Sequence, residues 1–247
     1  MRYFIGNWKM FGVPKSISIL NKINSYNSKD KNRNKYRVII TPPYTLIESY
    51  SKYFKNKKIS IGAQNCYQKE QFSSNTAAIS PYMLKNVGAK YTLIGHSDNR
   101  GEGDTDAKLK DKVKYALKNN LKVVFCIGEN KIEKKNKKTL SVLKSQLTKV
   151  IDKKFNKKNI IVAYEPIWSI GTGKIPTASE LKKTTIHIKK ILKDIFKKNS
   201  PAVLYGGSVD GSNVEMFKEI REIDGFLIGG ASKTSKKFID IIKNYYR

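Results

Sequence analysis

The sequence contains only two cysteines and 20 acidic residues, and it has no long hydrophobic run. One cysteine pair cannot cross-link 247 residues into a disulfide framework, so nothing indicates an oxidising compartment. No apolar stretch approaches the roughly 18 residues that a membrane-spanning helix needs. The first residues, MRYFIGNWKM, lack the apolar core and cleavage site of a secretory signal. We therefore expect a soluble, cytoplasmic protein with no membrane partner.

The shortage of acidic residues leaves a large excess of positive charge. Lysine and arginine number 49, so the formal net charge is +29. Such a protein could bind nucleic acid or attract anionic substrates. The lysines are spread through every predicted helix, however, and the run KIEKKNKK at 131–138 fits an exposed helix face better than a binding groove. No nucleic-acid recognition motif accompanies them. We interpret the charge as a solvated surface and do not expect a nucleic-acid partner.

Short β-branched runs recur eight times and alternate with longer, lysine-rich amphipathic stretches. Their continuous hydrophobicity is typical of parallel strands that are covered on both faces. Strict alternation of strands and helices predicts either a closed barrel or a doubly wound sheet. No linker or break in composition divides the chain, so we expect residues 1–247 to form one domain. The predicted strands are 3–8, 37–41, 59–64, 91–95, 122–127, 160–165, 202–206 and 225–229.

Capping residues predict where several helices begin. Ser80 is followed by a proline, which suits the first helical position. Thr177 and Ser212 each precede a glutamate by three residues, which is the spacing of a capping box. The stretch 104–119 has acidic residues in its first turn and lysines later, as the helix dipole favours.

Polar residues and glycines accumulate directly after the predicted strands. In parallel α/β folds, ligands bind at the carboxyl ends of the strands, where the loops into the helices begin. In a barrel, all of these positions would converge on one rim. They are Asn7, Lys9, Asn65, His96, Glu129, Glu165, Gly206 to Ser208, and the pair Gly229-Gly230.

The segment AYEPIWSIGTGK, residues 163–174, is the most informative of these sites. Glu165 at a buried strand end is followed by a stiff Pro-x-Trp and a glycine-rich tip, as a hinged lid requires. The glycines permit unusual backbone angles, and their N–H groups can approach an anion. A nucleotide P-loop is excluded, because that motif needs a glycine where Trp168 stands and a hydroxyl residue where Ile175 stands.

Two further segments place a glycine pair after the last two strands. They are YGGSV at 205–209 and LIGGAS at 227–232. Barrels commonly bind phosphate at this position. Ser208 and the backbone N–H groups of Gly229 and Gly230 would then contact the phosphate oxygens.

The sequence has only two histidines. His187 lies within an amphipathic helix and is interpreted as structural. His96 follows a strand and precedes a helix start, whose N-terminus disfavours a protonated ring. A neutral imidazole can donate a hydrogen bond to a carbonyl and stabilise the enolate formed from it. Lys9 next to an apolar strand would need an anionic partner, such as a phosphate or enediolate, although an isolated lysine is usually solvated.

These segments together resemble the triosephosphate isomerase family. GNWKM, AQNCY, IGHS with Arg100, VVFCIGE, AYEPIWSIGTGK, YGGSV and GFLIGGAS occur in the family's order, from Gly6 to Ser232. The resemblance implies a (β/α)8 barrel, with eight parallel strands surrounded by helices. It also implies the interconversion of dihydroxyacetone phosphate and D-glyceraldehyde 3-phosphate through an enediolate, in glycolysis and gluconeogenesis. The family needs neither a cofactor nor a metal.

The resemblance also implies roles for the site residues. Glu165 would move the proton, His96 would be the neutral electrophile, Lys9 a fixed positive charge and Asn7 a donor to the developing oxyanion. The lid, residues 166–176, would close over the substrate and exclude water. Cys126 and Glu129 would support the catalytic residues, and phosphate would be bound by backbone N–H groups at Gly171, Ser208, Gly229 and Gly230.

The resemblance further implies a homodimer in which the loop around Thr76 reaches the partner's active site. The chain departs from the family near this contact. Phe11 replaces an asparagine, Asp98 replaces a glutamate, and Ala77 and Ala78 replace a glycine and an acid. We interpret these departures as a co-adapted interface that leaves the catalytic set intact.

Two other functions stay open at this stage. A different barrel enzyme for phosphorylated sugars would use the same phosphate site, but it predicts a Schiff-base lysine or paired metal-binding carboxylates at the rim. Lys9 is the only strand-end lysine near the site, and no metal-ligand spacing is present. A nucleic-acid-binding protein would bind its ligand tightly at physiological salt.

Overall fold

The computed structural model describes residues 1–247, and its centre is a closed barrel of eight parallel strands. Each strand pairs with the next one along the chain, and the last strand pairs with the first. This closure confirms the predicted (β/α)8 barrel and excludes the doubly wound sheet, which would leave two edge strands. The strands are β1 Arg2–Asn7, β2 Tyr36–Thr41, β3 Ile59–Ala63, β4 Tyr91–Ile94, β5 Lys122–Ile127, β6 Ile160–Tyr164, β7 Ala202–Tyr205 and β8 Gly225–Ile228.

All eight predicted strands are present, and each predicted boundary lies within one residue of the observed one. The prediction succeeds because the strands are apolar on both faces. In β5, Val124 and Cys126 belong to the cluster inside the barrel, whereas Val123, Phe125 and Ile127 pack in the layer between strands and helices. Successive side chains of a strand point to opposite faces. Because both faces are buried here, the strand needs an apolar residue at every position.

Nine helices surround the strands, and each longer helix buries one apolar face. In α8, for example, Leu181, Ile188 and Leu192 recur at helical spacing and are buried. No helix is long and apolar enough to cross a lipid bilayer. The helices are α1 Ile17–Lys29, α2 Tyr44–Tyr53, α3 Pro81–Asn86, α4 Ser97–Gly101, α5 Asp106–Lys118, α6 Lys131–Lys135, α7 Thr139–Val150, α8 Ala178–Phe196 and α9 Ser235–Tyr246. Five short 3-10 helices are Pro14–Ser16, Lys157–Asn159, Ile167–Ser169, Val214–Glu219 and Gly230–Lys233.

Two predicted helix starts are confirmed by their capping hydrogen bonds. The Ser80 hydroxyl accepts the N–H of Met83 at 3.2 Å and begins α3. Thr177 and Glu180 form a reciprocal capping box at the start of α8. These bonds satisfy N–H groups that have no partner in the first turn of a helix.

Two other helix starts differ from the prediction. The stretch 104–119 becomes α5 only from Asp106, because Thr105 caps it and the Asp104 carboxylate turns to a buried lysine. The predicted capping box at Ser212 is wrong. The Asp210 carboxylate accepts the N–H groups of Ser212 and Asn213 instead, and the segment that follows is a 3-10 helix. A capping box would direct the Ser212 N–H to Glu215, but Asp210 Oδ1 accepts this N–H at 2.8 Å, and the Ser212 hydroxyl donates to the same oxygen at 2.6 Å.

Candidate active site

The carboxyl ends of the strands surround one cavity of about 690 Å³. Because all eight strands run in the same direction, the loops that follow them open onto the same end of the barrel. Every residue predicted for the catalytic or substrate-binding set lines this cavity: Asn7, Lys9, His96, Glu165, Gly171, Ser208, Gly229 and Gly230. His187 lies elsewhere, where its Nε2 contacts the Leu140 carbonyl of α7 at 3.2 Å, in keeping with a structural residue.

Glu165 directly follows β6, and its N–H donates to the Ile127 carbonyl at 2.7 Å. The residue is only 5% exposed, and its Oε2 atom has no hydrogen-bond partner in the protein. Burial raises the pKa of this carboxyl group, although His96 and Lys9 oppose the shift. The neighbouring Gly206 leaves space for it, since a Cβ atom there would lie 2.4 Å from Glu165 Cγ. The result is a poorly solvated, basic carboxylate that is free to accept a proton.

His96 faces Glu165 across the cavity floor, with 3.7 Å between His96 Nε2 and Glu165 Oε1. Its ring is buried, and Nδ1 accepts the N–H of Asp98 at 3.1 Å, which caps α4. A ring nitrogen that accepts a hydrogen bond carries no proton, so the geometry assigns the proton to Nε2 and a neutral ring. The proton-bearing nitrogen therefore points towards the carboxylate and the cavity.

Lys9 adopts a left-handed backbone, with φ of 54°, immediately after β1. The Asn7 side-chain oxygen accepts the N–H of Lys9 at 3.1 Å, and Gln64 donates to the Lys9 carbonyl at 2.8 Å. These bonds hold a conformation that is uncommon for a residue with a side chain. They also leave the Asn7 amide nitrogen as a donor facing the cavity.

The Lys9 ammonium is less buried than the sequence suggested. Its side chain is 34% exposed, and Asp98 Oδ2 lies 3.2 Å from its Nζ. The anionic partner that we expected from a ligand is thus provided, at least in part, by the chain itself. The Asp98 backbone N–H also donates to His96 Nδ1, so Asp98 positions both the Lys9 ammonium and the His96 ring.

One side of the cavity presents backbone N–H groups from the lid tip and from the loops after β7 and β8. The N–H groups of Gly171, Ser208 and Gly229 donate to no backbone carbonyl. Gly230 begins a 3-10 helix, where the first N–H groups also lack intrahelical partners. Such converging N–H groups form an anion-binding concavity. The Ser208 hydroxyl instead contacts residues 166–176: it accepts the N–H of Gly173 at 3.2 Å and donates to the Ser169 carbonyl at 2.7 Å.

The lid, residues 166–176, is anchored by its first residues as well as by its tip. Trp168 Nε1 donates to Glu129 Oε1 at 2.9 Å, and the Tyr164 hydroxyl donates to the same oxygen at 3.2 Å. Cys126 lies beneath Glu165, and burial raises the pKa of its thiol well above the ordinary value, so the thiol stays neutral. Glu129 thus contacts Tyr164 and the first residues of the lid rather than Glu165, His96 or Lys9, so its support of the catalytic residues stays a prediction.

Some residues that line the cavity could not be identified as site residues from the sequence. Lys237 and Asp240 of α9 and Asp210 line the cavity together with the glycines after β7 and β8. Lys237 stands among other lysines in a lysine-rich chain, so its position could be found only from the fold. No cluster of three or more His, Cys, Asp or Glu side chains is arranged to hold a metal ion.

A closed parallel barrel whose cavity holds a buried carboxylate, an imidazole and unpaired backbone N–H groups is typical of barrel enzymes that move protons on small phosphorylated substrates. The comparisons with known proteins are more specific. The family model described as triosephosphate isomerase matches residues 2–245. The triosephosphate isomerases of Yarrowia lipolytica and Saccharomyces cerevisiae are 38% and 37% identical to the chain, and each comparison covers 98% of both sequences.

A solved structure agrees with the sequence comparisons. The crystal structure of triosephosphate isomerase from Bartonella henselae superposes with a TM-score of 0.91 and 31% identity, over 100% of this chain and 99% of that chain. The chain therefore belongs to the triosephosphate isomerase family.

Proposed function

We propose that the chain interconverts dihydroxyacetone phosphate and D-glyceraldehyde 3-phosphate, with Glu165 as the base that carries the proton. The observation that supports this assignment is the 3.7 Å approach of His96 Nε2 to Glu165 Oε1 on the cavity floor. A base and an electrophile at this separation can act on the two ends of one C–C–O unit. The reaction is an aldose–ketose isomerisation in glycolysis and gluconeogenesis.

The proton moves between neighbouring carbons through an enediolate. The Glu165 carboxylate removes a proton from the carbon next to the substrate carbonyl, and the electron pair moves onto the carbonyl oxygen. Glu165 then returns the proton to the adjacent carbon, while a hydroxyl proton is exchanged between the two oxygens near His96. The raised pKa of Glu165 brings its basicity closer to what a proton transfer from carbon requires.

Three donors stabilise the negative charge that develops on the substrate oxygens. His96 Nε2–H donates a hydrogen bond, the Asn7 amide nitrogen donates another, and the Lys9 ammonium supplies a fixed positive charge. Asp98 holds the ammonium in place and partly balances it before the substrate binds. Because these groups are preset by the loops after β1 and β4, they need little rearrangement during the reaction.

The phosphate group of the substrate is bound by the backbone N–H groups of Gly171, Ser208, Gly229 and Gly230. The lid brings Gly171 into this set, since the hydrogen bond from Gly173 to Ser208 places the lid tip beside the loop after β7. Binding energy from the phosphate thereby holds the lid over the reacting carbons and excludes water.

We also propose that residues 1–247 form one catalytic domain, which assembles as a homodimer in the cytoplasm. Met10 and Phe72 are 99% and 76% exposed, and they lie on the loops after β1 and β3. Apolar side chains this exposed would be covered by the partner subunit at such a contact. Ala77, next to Thr76, has a φ of 64°, the backbone that glycine commonly provides in the family.

The experiment is a coupled assay of the purified protein with D-glyceraldehyde 3-phosphate as substrate. We expect turnover without added metal or cofactor. Phosphoglycolate, a phosphorylated carboxylate that mimics the enediolate, should inhibit at much lower concentration than inorganic phosphate. Absence of turnover, or equal inhibition by the two anions, would contradict the proposed function.

A further inference from the structure

The indole ring of Trp168, at the first hinge of the lid, is held by two opposite charges. Its Nε1–H donates to the Glu129 carboxylate at 2.9 Å. The Lys134 Nζ lies 3.6 Å from the centre of the ring, over its face. The face of an indole is electron-rich and its N–H edge is electron-poor, so each charge meets the part of the ring that attracts it.

Lys134 also contacts a residue just beyond the other end of the lid. Its Nζ lies 3.6 Å from Glu180 Oε1. Glu180 and Thr177 form the capping box that begins α8, directly after the lid. The pKa of Glu180 is lowered, chiefly because the Thr177 N–H donates to its carboxylate, and the charge of Lys134 adds to this shift. One ammonium therefore contacts Trp168 near the first end of the lid and Glu180 just beyond its other end.

The backbone around Lys134 is fixed independently of the lid. Asn130 and Glu133 form a reciprocal capping box at the start of α6, which follows Glu129. The Lys134 N–H donates to the Asn130 carbonyl at 3.0 Å. The short capped helix that follows β5 thus holds the lysine beside Trp168.

We propose that Lys134 is a positioning residue for the lid, which couples the two lid ends and stabilises the arrangement in which the lid tip is bonded to Ser208. The ammonium neither contacts the cavity nor takes part in proton transfer. It acts through Trp168 and Glu180, whose positions set the entry and exit of residues 166–176. This inference rests on the proposed function in one respect, namely that the lid covers a phosphorylated ligand.

The test compares Lys134→Met with Lys134→Arg and with Lys135→Met. Methionine keeps the apolar stem and removes the charge, whereas arginine keeps a cation that stacks on aromatic rings. Lys135 is its exposed neighbour on α6 and makes no ion pair or ring contact. The two readouts are the dissociation constant of phosphoglycolate and the tryptophan emission spectrum, in which the fully buried Trp8 gives a constant background.

We expect Lys134→Met to bind phosphoglycolate about two- to fivefold more weakly than the parent protein, the fold-change that a partly exposed cation–π contact supports. Its emission should differ from that of the parent protein, because the charge above Trp168 is gone. Lys134→Arg and Lys135→Met should resemble the parent protein in both readouts. If Lys134→Met matches Lys135→Met in both, the inference is wrong. If the parent protein itself does not bind phosphoglycolate, the proposed function fails, and the emission comparison still decides whether Lys134 acts on Trp168.

A double-mutant cycle with Glu180→Gln tests the coupling of the two lid ends. Glutamine keeps an oxygen that can accept the Thr177 N–H, so the start of α8 is retained while the charge is lost. If Lys134 couples the ends, its substitution should weaken phosphoglycolate binding less in the Glu180→Gln background than in the parent protein. Strictly additive losses would overturn the coupling.

Discussion

Gly206→Ala adds one methyl group where the loop after β7 passes the side chain of Glu165. The new Cβ atom would lie 2.4 Å from Glu165 Cγ and 3.1 Å from both Cδ and Oε1. Ordinary contact begins at 3.4 Å, so the carboxylate must move by about 1 Å. A displacement of this size can reduce the rate of a positioned reaction about 100-fold. We expect kcat to fall by about that factor, while KM changes less, because the proposed phosphate-binding glycines Gly229 and Gly230 lie on the separate loop after β8.

The assay is steady-state turnover of D-glyceraldehyde 3-phosphate, measured together with thermal unfolding to show that the variant is folded. Gly101→Ala is the matched control, because a Cβ atom at position 101 has no neighbour within 4 Å. The control should retain the parent kcat. If Gly206→Ala keeps more than half of the parent kcat, the close packing of this loop against Glu165 does not set the position of the base.

Three further predictions concern stability and assembly. Burial raises the pKa of Glu165, so the folded chain retains this proton at a pH where the unfolded chain has lost it; stability should therefore fall as pH rises above the ordinary value of 4.5. Glu165→Gln should accordingly unfold at a higher temperature than the parent protein at neutral pH, and an equal or lower temperature would contradict this. Lys112→Met removes the partner of the Asp104 carboxylate, which is 10% exposed and 2.7 Å from the lysine; urea unfolding should show a loss of about 3–5 kcal/mol, and a loss below about 1 kcal/mol would refute it. Thr76→Arg places a long charged side chain in the proposed dimer contact, so sedimentation should show monomers, whereas an unchanged dimer would locate the interface elsewhere.

The strands could be predicted closely because their signal is local. Runs such as 122–127 are apolar at every position, and β5 is buried on both faces. Closure of the barrel could not be predicted from periodicity, because an open doubly wound sheet has the same alternation of strands and helices. It depends on the pairing of β1 with β8, which lie more than 200 residues apart and carry no mutual sequence signal.

The residues of the candidate site could be predicted for a related reason. Polar residues at strand ends converge in any barrel, so Asn7, His96 and Glu165 could be grouped before the structure was known. The side chains that contact these residues could not be predicted in this way. The pairing of Lys9 with Asp98 joins residues far apart in the chain, and either one alone looks like a solvated surface residue.

The two predicted capping boxes show that contacts with nearby residues also limit prediction from a local pattern. At the start of α8, Thr177 and Glu180 form the expected reciprocal capping box, and no other side chain accepts these N–H groups. At Ser212, the Asp210 carboxylate accepts the N–H that the capping box would give to Glu215, and the Ser212 hydroxyl donates to Asp210. A local pattern therefore predicts a hydrogen bond well only where no other nearby acceptor can reach the same donor.

The assignment of Glu165 as the base is tested most directly by the turnover of Glu165→Gln on D-glyceraldehyde 3-phosphate. Glutamine fills nearly the same volume but cannot accept the substrate proton. We predict that kcat falls by about 10²- to 10⁴-fold or more, while the circular dichroism spectrum and the affinity for inorganic phosphate stay close to those of the parent protein. Turnover near the parent value would show that another group moves the proton.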